Sequence, residues 1–578
     1  MATPETVINR SDLQNYPSER LTDNDDGGGM PLSTPLTGAP NELFNPVTTF
    51  DRLSGDWSAR LIYAGLQRPD AAAVYSAYFA ITKPANDDAV SYLAMESDKF
   101  GESRKDIVKS VTSNLVVGDT GFSPALNKSH TQGGTELNIV FHQAGGEGGG
   151  FDVDSVIYLR GSYIVTINQI QKTQTYGEFA KITAVVPYEY EYYEPGSITP
   201  QTKPAAKITI SRPLKNDYTK SYVLQVGGDA AAIASYKHEV FETREAGQAR
   251  FYGVKPLATA VLKDAMTVKL ASIYENIAPK VGDDVIDVEG IEVLRLPADG
   301  MTKIMQVDDE ILITNSKKDD IGSAHTAGQT VQLSRIDVDR ICINDADDKP
   351  VNAELWDYDL LLGTITWRTP LDLSSYKMPL SVSHAHEEMN RITAVNDDGT
   401  VTLLFKTLRA YAIADTYVAS VLSLGDLQVR VSVPFTQRAW SNVWQDTPIG
   451  DPLLNKLNVT DYPIVLTDDG AITERWMIKM TGTNQFELYG EQLGFVMRGD
   501  TLTDLAPIRP ATGKPYFTLP KEAFGNEAPW ASQDIIRINT WGTLAPIRII
   551  RVVSPNRNES TQDGFNYCLY GDTTEIIA

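Results

Sequence analysis

Two histidines spaced two apart, His384-Ala385-His386, are the residues of this chain best placed to hold a metal ion. On a β-strand, side chains two apart leave the same face, so both imidazoles could reach one ion, with Glu388 next on that face. Two nitrogens complete no site alone, although three copies around a threefold axis would supply six. The chain's six histidines offer no obvious fourth ligand. The lead-in Pro379-Leu380-Ser381-Val382-Ser383 reads as an ordinary strand, so His384 and His386 stay candidates and no metal is assigned.

A second constellation is Tyr188-Glu189-Tyr190-Glu191-Tyr192-Tyr193-Glu194. As a strand it puts three tyrosines on one face and two glutamates on the other. Aromatic rows stack sugars and paired carboxylates hydrolyse glycosides, which makes a glycan-cleaving protein the rival reading. The preferred reading is a strand that buries its tyrosines against a sheet or a neighbouring subunit. The glycine run Gly145-Gly146-Glu147-Gly148-Gly149-Gly150 precedes acids at Asp152 and Asp154, which would repel phosphate, so it reads as a loop tip. Thr22 to Gly27 and Asn344 to Asp348 each depart from a calcium loop and read as turns. There is no nucleophile elbow, zinc-protease motif or dinucleotide fingerprint. The sequence is read as that of a non-enzyme with no cofactor.

Bulk properties agree. A formal charge of −24, from 51 basic and 75 acidic residues, opposes nucleic acid, and no local basic stripe offsets it. The two cysteines, Cys342 and Cys568, suit reduced thiols in a protein assembled in a reducing cytoplasm. Met1 to Asp12 carries no export signal, and no apolar run approaches the ~20 residues that span a bilayer, so no membrane insertion is expected.

The elements that must position these residues are mostly strands. Alternation is plain in 161–167, 206–210, 427–433 and 546–553, and 475–489 reads as a hairpin. Helical patterns are few: Asp70 to Ala80, Lys99 to Ser113 and Asp229 to Ala246, the last with a rival strand at Tyr236 to Thr243. The first ~55 residues are rich in Pro and Gly, yet Tyr16, Leu32, Leu36, Leu43, Phe44 and Phe50 punctuate them. That pattern predicts an extended arm whose apolar anchors bind a partner. The expected fold is mainly β, with several β-sandwich or barrel-like domains, few short helices and an extended N-terminal arm. A chain of 578 residues exceeds one core. The divisions expected are an arm at 1–55, β-rich domains at 56–195, 284–425 and 426–578, and a small β or α+β domain at 206–280.

Several phrases resemble a family of large structural proteins encoded in the tail gene clusters of tailed bacteriophages and prophages. They include Glu19-Arg20-Leu21-Thr22-Asp23-Asn24-Asp25-Asp26-Gly27-Gly28-Gly29-Met30, Asn41-Glu42-Leu43-Phe44 and Phe50-Asp51-Arg52. Phe251-Tyr252-Gly253-Val254-Lys255-Pro256-Leu257, Leu355-Trp356-Asp357-Tyr358-Asp359-Leu360 and Gly363-Thr364-Ile365-Thr366 continue the series. So do Gly425-Asp426-Leu427-Gln428 with Val431, Ile472-Thr473-Glu474-Arg475-Trp476 and Thr512-Gly513-Lys514-Pro515-Tyr516-Phe517-Thr518-Leu519-Pro520. These phrases span most of the chain, with a poor match between Trp57 and Lys99. The resemblance implies a virion component, a tail or baseplate subunit leaning towards a contractile tail, and carries over no catalytic residue. Its expected partners are other tail or baseplate subunits and further copies in a symmetric homo-oligomer, assembled in the bacterial host cytoplasm. The alternative is a receptor-binding or glycan-cleaving protein of the same particle.

Overall fold

The computed structural model describes residues 8, 12–87, 89–97, 99–106, 116–117, 125–140, 151, 153, 156–167, 170–193, 198–210, 213–214, 216–218, 223–226, 232–244, 250–277, 287–288, 291–292, 301–396, 398–451, 453–525, 528–554 and 563–573. The Gly145 to Gly150 run lies outside them, as do the ends of the expected helix at 229–246 and residues 107–113 of that at 99–113, of which 104–106 are helical. The described fold is mainly β, built from antiparallel sheets, with the α-helix Thr49–Ser54, helical residues at 104–106 and two short 3-10 turns. No helix among the described residues is long and apolar enough to cross a membrane.

The organising element is the strand Leu544–Val553. It lies between Asp56–Leu66 and Val90–Glu96, with Ile62 opposite Ile547 and Ile549 opposite Ala94. The full six-stranded sheet runs Phe251–Tyr252, Val90–Glu96, Leu544–Val553, Asp56–Leu66, Leu13–Arg20, Gly28–Pro31. Its sequence Ile-Arg-Ile-Ile-Arg-Val-Val is apolar at nearly every position, the mark of a strand covered on both faces. Ile550 and Val552 join one core with Trp57, Leu93 and Ile313, while Ile547, Ile549 and Val553 join another with Ile62, Phe79 and Leu422. Further along, Leu61, Tyr63 and Leu544 pack with Trp476, Phe486 and Ile538 of the C-terminal sheet. One central sheet thus serves three cores.

Arginines sit where a strand buried on both faces would otherwise be apolar. Arg60, Arg548 and Arg551 are buried. Arg60 holds both oxygens of Asp23, at 2.5 and 2.8 Å. Arg548 donates to the carbonyl of Glu102 at 2.7 Å, and Arg551 to that of Asn45. The Tyr63 hydroxyl donates to the Gly29 carbonyl at 2.7 Å. A buried guanidinium without acceptors costs several kcal/mol, so these bonds tether the leading segment firmly. Glycine is required at 28, which has φ +119°, and a Cβ there would lie 2.2 Å from the Glu102 carbonyl oxygen.

The leading segment therefore differs from an arm that orders only on a partner. Leu13–Arg20 pairs with Asp56–Leu66 from Leu13↔Leu66 to Pro17↔Ile62, and the buried Arg60 and Arg551 hold Asp23 and Asn45 beyond it. Asp70 to Ala80 is not helical: Ala73–Lys83 is a strand flanked by Leu422–Gln428 and Asn566–Asp572. Its Val, Tyr, Phe, Ile and Thr content favours a pleated surface, and pairing on both edges decides the matter. Ala232–Arg244 is likewise a strand, which agrees with the rival reading of that segment. The pattern at 427–433 is broken in two, with Leu427 opposite Val74 in one sheet and Val431 opposite Thr540 in another.

Sheets also cross every expected division. Gln201–Ile210 pairs with Ile170–Tyr192 from Tyr192↔Gln201 to Ile182↔Ile210, across the expected division between 195 and 206. Val254–Pro256 shares a sheet with Glu310–Gly322, Leu380–Val395 and Thr416–Ser420, and Leu422–Gln428 spans the expected break near Gly425. Proline and glycine mark turns here as readily as linkers.

Asp468 tethers a remote loop to this frame. It is fully buried, and its Oδ2 accepts from the Ala72 amide at 2.9 Å while Oδ1 has no partner. Burial pushes its pKa up to about 8. A carboxyl raised in the fold favours stability at low pH, and that contribution fades as pH rises towards 8. Asp468→Asn, which keeps the acceptor, should therefore stabilise the chain by about 1–3 kcal/mol at pH 8.5 and leave it unchanged near pH 4. Denaturant melts at both pH values check this. Arg60→Met should loosen residues 20–29 at a cost of about 2 kcal/mol, read as faster tryptic cleavage after Arg20.

Candidate functional site

The strand Leu380–Val395 carries both candidate histidines and places them on one face, as the spacing predicts. Its neighbours are Glu310–Gly322 along one edge and Arg340–Asn344 along part of the other, with His384 opposite Lys317 and Ile341. His384 is buried. Its Nε2 lies 3.0 Å from Asp319 Oδ2 and 3.5 Å from Ser334 Oγ, and that hydroxyl donates to Asp319 Oδ1 at 2.7 Å. Serine, histidine and aspartate meet, but not as a charge-transfer triad. Both partners share Nε2, the serine proton is spent on aspartate, and Nδ1 is buried without a partner. His386 is half-buried, with Nε2 3.2 Å from the Ile336 carbonyl. Among the described residues no group of three or more His, Cys, Asp or Glu could hold a metal ion.

The tyrosine row is equally committed. Tyr188, Tyr190 and Tyr192 are half-buried on the Ile170–Tyr192 strand. Asn127 donates to the Tyr188 hydroxyl, Tyr192 donates to Gln201 at 2.9 Å, and Lys203 lies 4.3 Å over the Tyr192 ring. Glu189 and Glu191 are exposed, alternating with the tyrosines along the strand. Glycoside hydrolysis needs carboxyls on either side of a bound sugar. Two carboxylates on the same face of one strand do not enclose such a bond.

The six N-terminal anchors divide. Tyr16 and Phe44 are buried in the chain's own cores, and Leu36 and Leu43 pack against the core that holds Phe44. Leu32 and Phe50 are exposed, Phe50 at 73%. Most of the segment's apolar area is thus spent inside this chain and not held for a partner. A cleft of about 420 Å³ lies beside Tyr16, lined mainly by Asp12, Gln14, Gln67, Arg68 and Asp469. Arg68 there is already paired with Asp12 and Asp70.

The arrangement best suited to binding is one the sequence reading missed. Between Arg340–Asn344 and Thr400–Leu403, the edge of Leu380–Val395 has, among the described residues, no strand beside residues 386–391. Loops cover it instead. Asn390 bonds both backbone groups of Phe405, Glu388 accepts from the Leu408 amide at 2.9 Å, and Asp339 accepts from the Glu387 amide at 2.7 Å. Arg409 joins the two loops, donating to Asp337 at 2.9 Å and Asp339 at 2.7 Å. Asp337 and Val338 donate in turn to the carbonyls of Leu361 and Leu360. On the other side Thr407 bonds Leu262 and Ala265. These linked loops expose Leu262 (77%), Ile336 (64%), Leu361 (69%), Phe405 (64%) and Leu408 (68%). One signal was available in the sequence: Leu360-Leu361-Leu362 and Leu403-Leu404-Phe405 are runs of three, and an alternating chain cannot bury all three.

Comparison with protein-family models, curated proteins and solved structures finds no match to this chain.

Burial lowers the pKa of His384, against the opposing pull of Asp319. A histidine kept neutral by the fold contributes stability above its unfolded pKa of about 6.5, and that contribution is lost as pH falls below it. Thermal melts of the wild-type chain should decline from pH 7.5 to 5.5, and His384→Gln should flatten that slope. An unchanged slope would mean the imidazole does not report on folding.

Proposed function

We propose that this chain is a structural subunit of a bacteriophage virion, part of its tail or baseplate, and that it works by binding neighbouring subunits without catalysis. The observation that carries the reading is the linked set of exposed apolar loops around Arg409. Scattered exposed leucines are ordinary, but a contiguous apolar surface marks an interaction site. The phrases that resemble tail structural proteins supply the particle. The bond of His384 to Asp319 and that of the Tyr192 hydroxyl to Gln201 support the non-catalytic reading.

On this reading the chain is made in the bacterial cytoplasm and ends in the particle. After induction of a host that carries the gene, it should co-sediment with tail-bearing particles and stay with them through a high-salt wash. Finding it only in the low-mass soluble fraction, with intact particles lacking it, rejects the proposal.

A further inference from the structure

We infer that the apolar band around Arg409 binds a second copy of this chain, across a two-fold axis; the inference rests on the assembly reading above and names the partner of that surface. Two features argue for a second copy. The first is area. Six side chains, Leu262, Ile336, Leu361, Leu362, Phe405 and Leu408, are more than half exposed along connected loops. At on the order of 100 Å² each they would bury about 1,200 Å² between two copies, the lower bound for a specific interface.

The second feature is charge. At the Phe405 end, Lys263 and Lys406 are exposed, with Asp264 next to Lys263 in the chain, so the two loops carry one positive charge over there. At the Leu361 end, Asp357 and Asp359 flank Tyr358, and only Arg368 opposes them, bound to Asp357 at 2.5 Å, which leaves one negative charge over. In the centre Arg409 bridges Asp337 and Asp339, which leaves one negative charge over there, and beside the basic end Arg391 is spent on Asp308. A surface polar end to end is complementary to itself once turned by 180°. A two-fold contact therefore lays each basic end on the partner's acidic end. On a chain of charge −24, two lysines beside an apolar strip are otherwise unexpected.

Sedimentation velocity of the purified full chain tests this. A monomer–dimer equilibrium in the micromolar range is expected, and Leu408→Asp and Leu361→Asp should each weaken it roughly 100-fold while circular dichroism and melting stay unchanged. Lys406→Glu should weaken it roughly threefold to tenfold. Adding Asp359→Lys in the same chain should restore it, because the two-fold brings both changes together. A chain that stays monomeric at 100 µM or so overturns the inference, as does a dimer that neither Leu→Asp variant affects. Failure of the second charge change to rescue the first overturns the two-fold. A monomer that still enters particles would end this inference and leave the proposed function standing. A dimer that never enters particles would do the reverse.

Discussion

The insertion of Leu544–Val553 between Asp56–Leu66 and Val90–Glu96 is the constraint on which the rest of the structure depends. Contacts between residues some 450–500 positions apart close the central sheet, and that sheet lines three cores. Until the last tenth of the chain exists, the strands of Trp57, Ile62 and Leu93 lack the one that joins them into a single sheet. Closing so long a loop costs only slightly more than closing a short one, since the entropy grows with the logarithm of length. It does make folding slow, because non-local pairing must precede the reward.

The same strand explains the buried arginines. Strands covered on both faces leave no wet side for a cation, so Arg60, Arg548 and Arg551 must find acceptors in whatever segment lies over them. That segment is residues 23–45 together with Glu102. Polar groups inside the core thereby fix the path of a stretch too rich in proline and glycine to form regular structure alone. The glycines at 27–29 permit close backbone approach there, where composition by itself suggested looseness.

The binding surface arises from an opposite circumstance. Where, among the described residues, Leu380–Val395 lacks a strand beside residues 386–391, side chains replace the ladder: Asn390 and Glu388 bond backbone groups of one covering loop, and Asp339 of another accepts from the strand's Glu387 amide. An edge closed this way is protected from further strand pairing. The loops that close it must spend their polar groups inwards, so their leucines and Phe405 face water. Protection of the edge and creation of an apolar surface are one event.

The sequence by itself determined the class of fold, because period-two alternation and β-branched content are local properties that survive into the structure. It also determined the hairpin read at 475–489 and the shared strand face of His384 and His386. Tertiary structure decided everything that depends on which strand lies beside which. Ala73–Lys83 is a strand because two others flank it. The anchors Tyr16 and Phe44 fill the chain's own cores because Leu13–Arg20 found a free edge within the chain. His384 bonds Asp319 and Ser334, residues 65 and 50 positions away, which no local spacing announces. Local patterns state that a residue will be buried or exposed to a strand's face. Only the pairing of distant segments states against what.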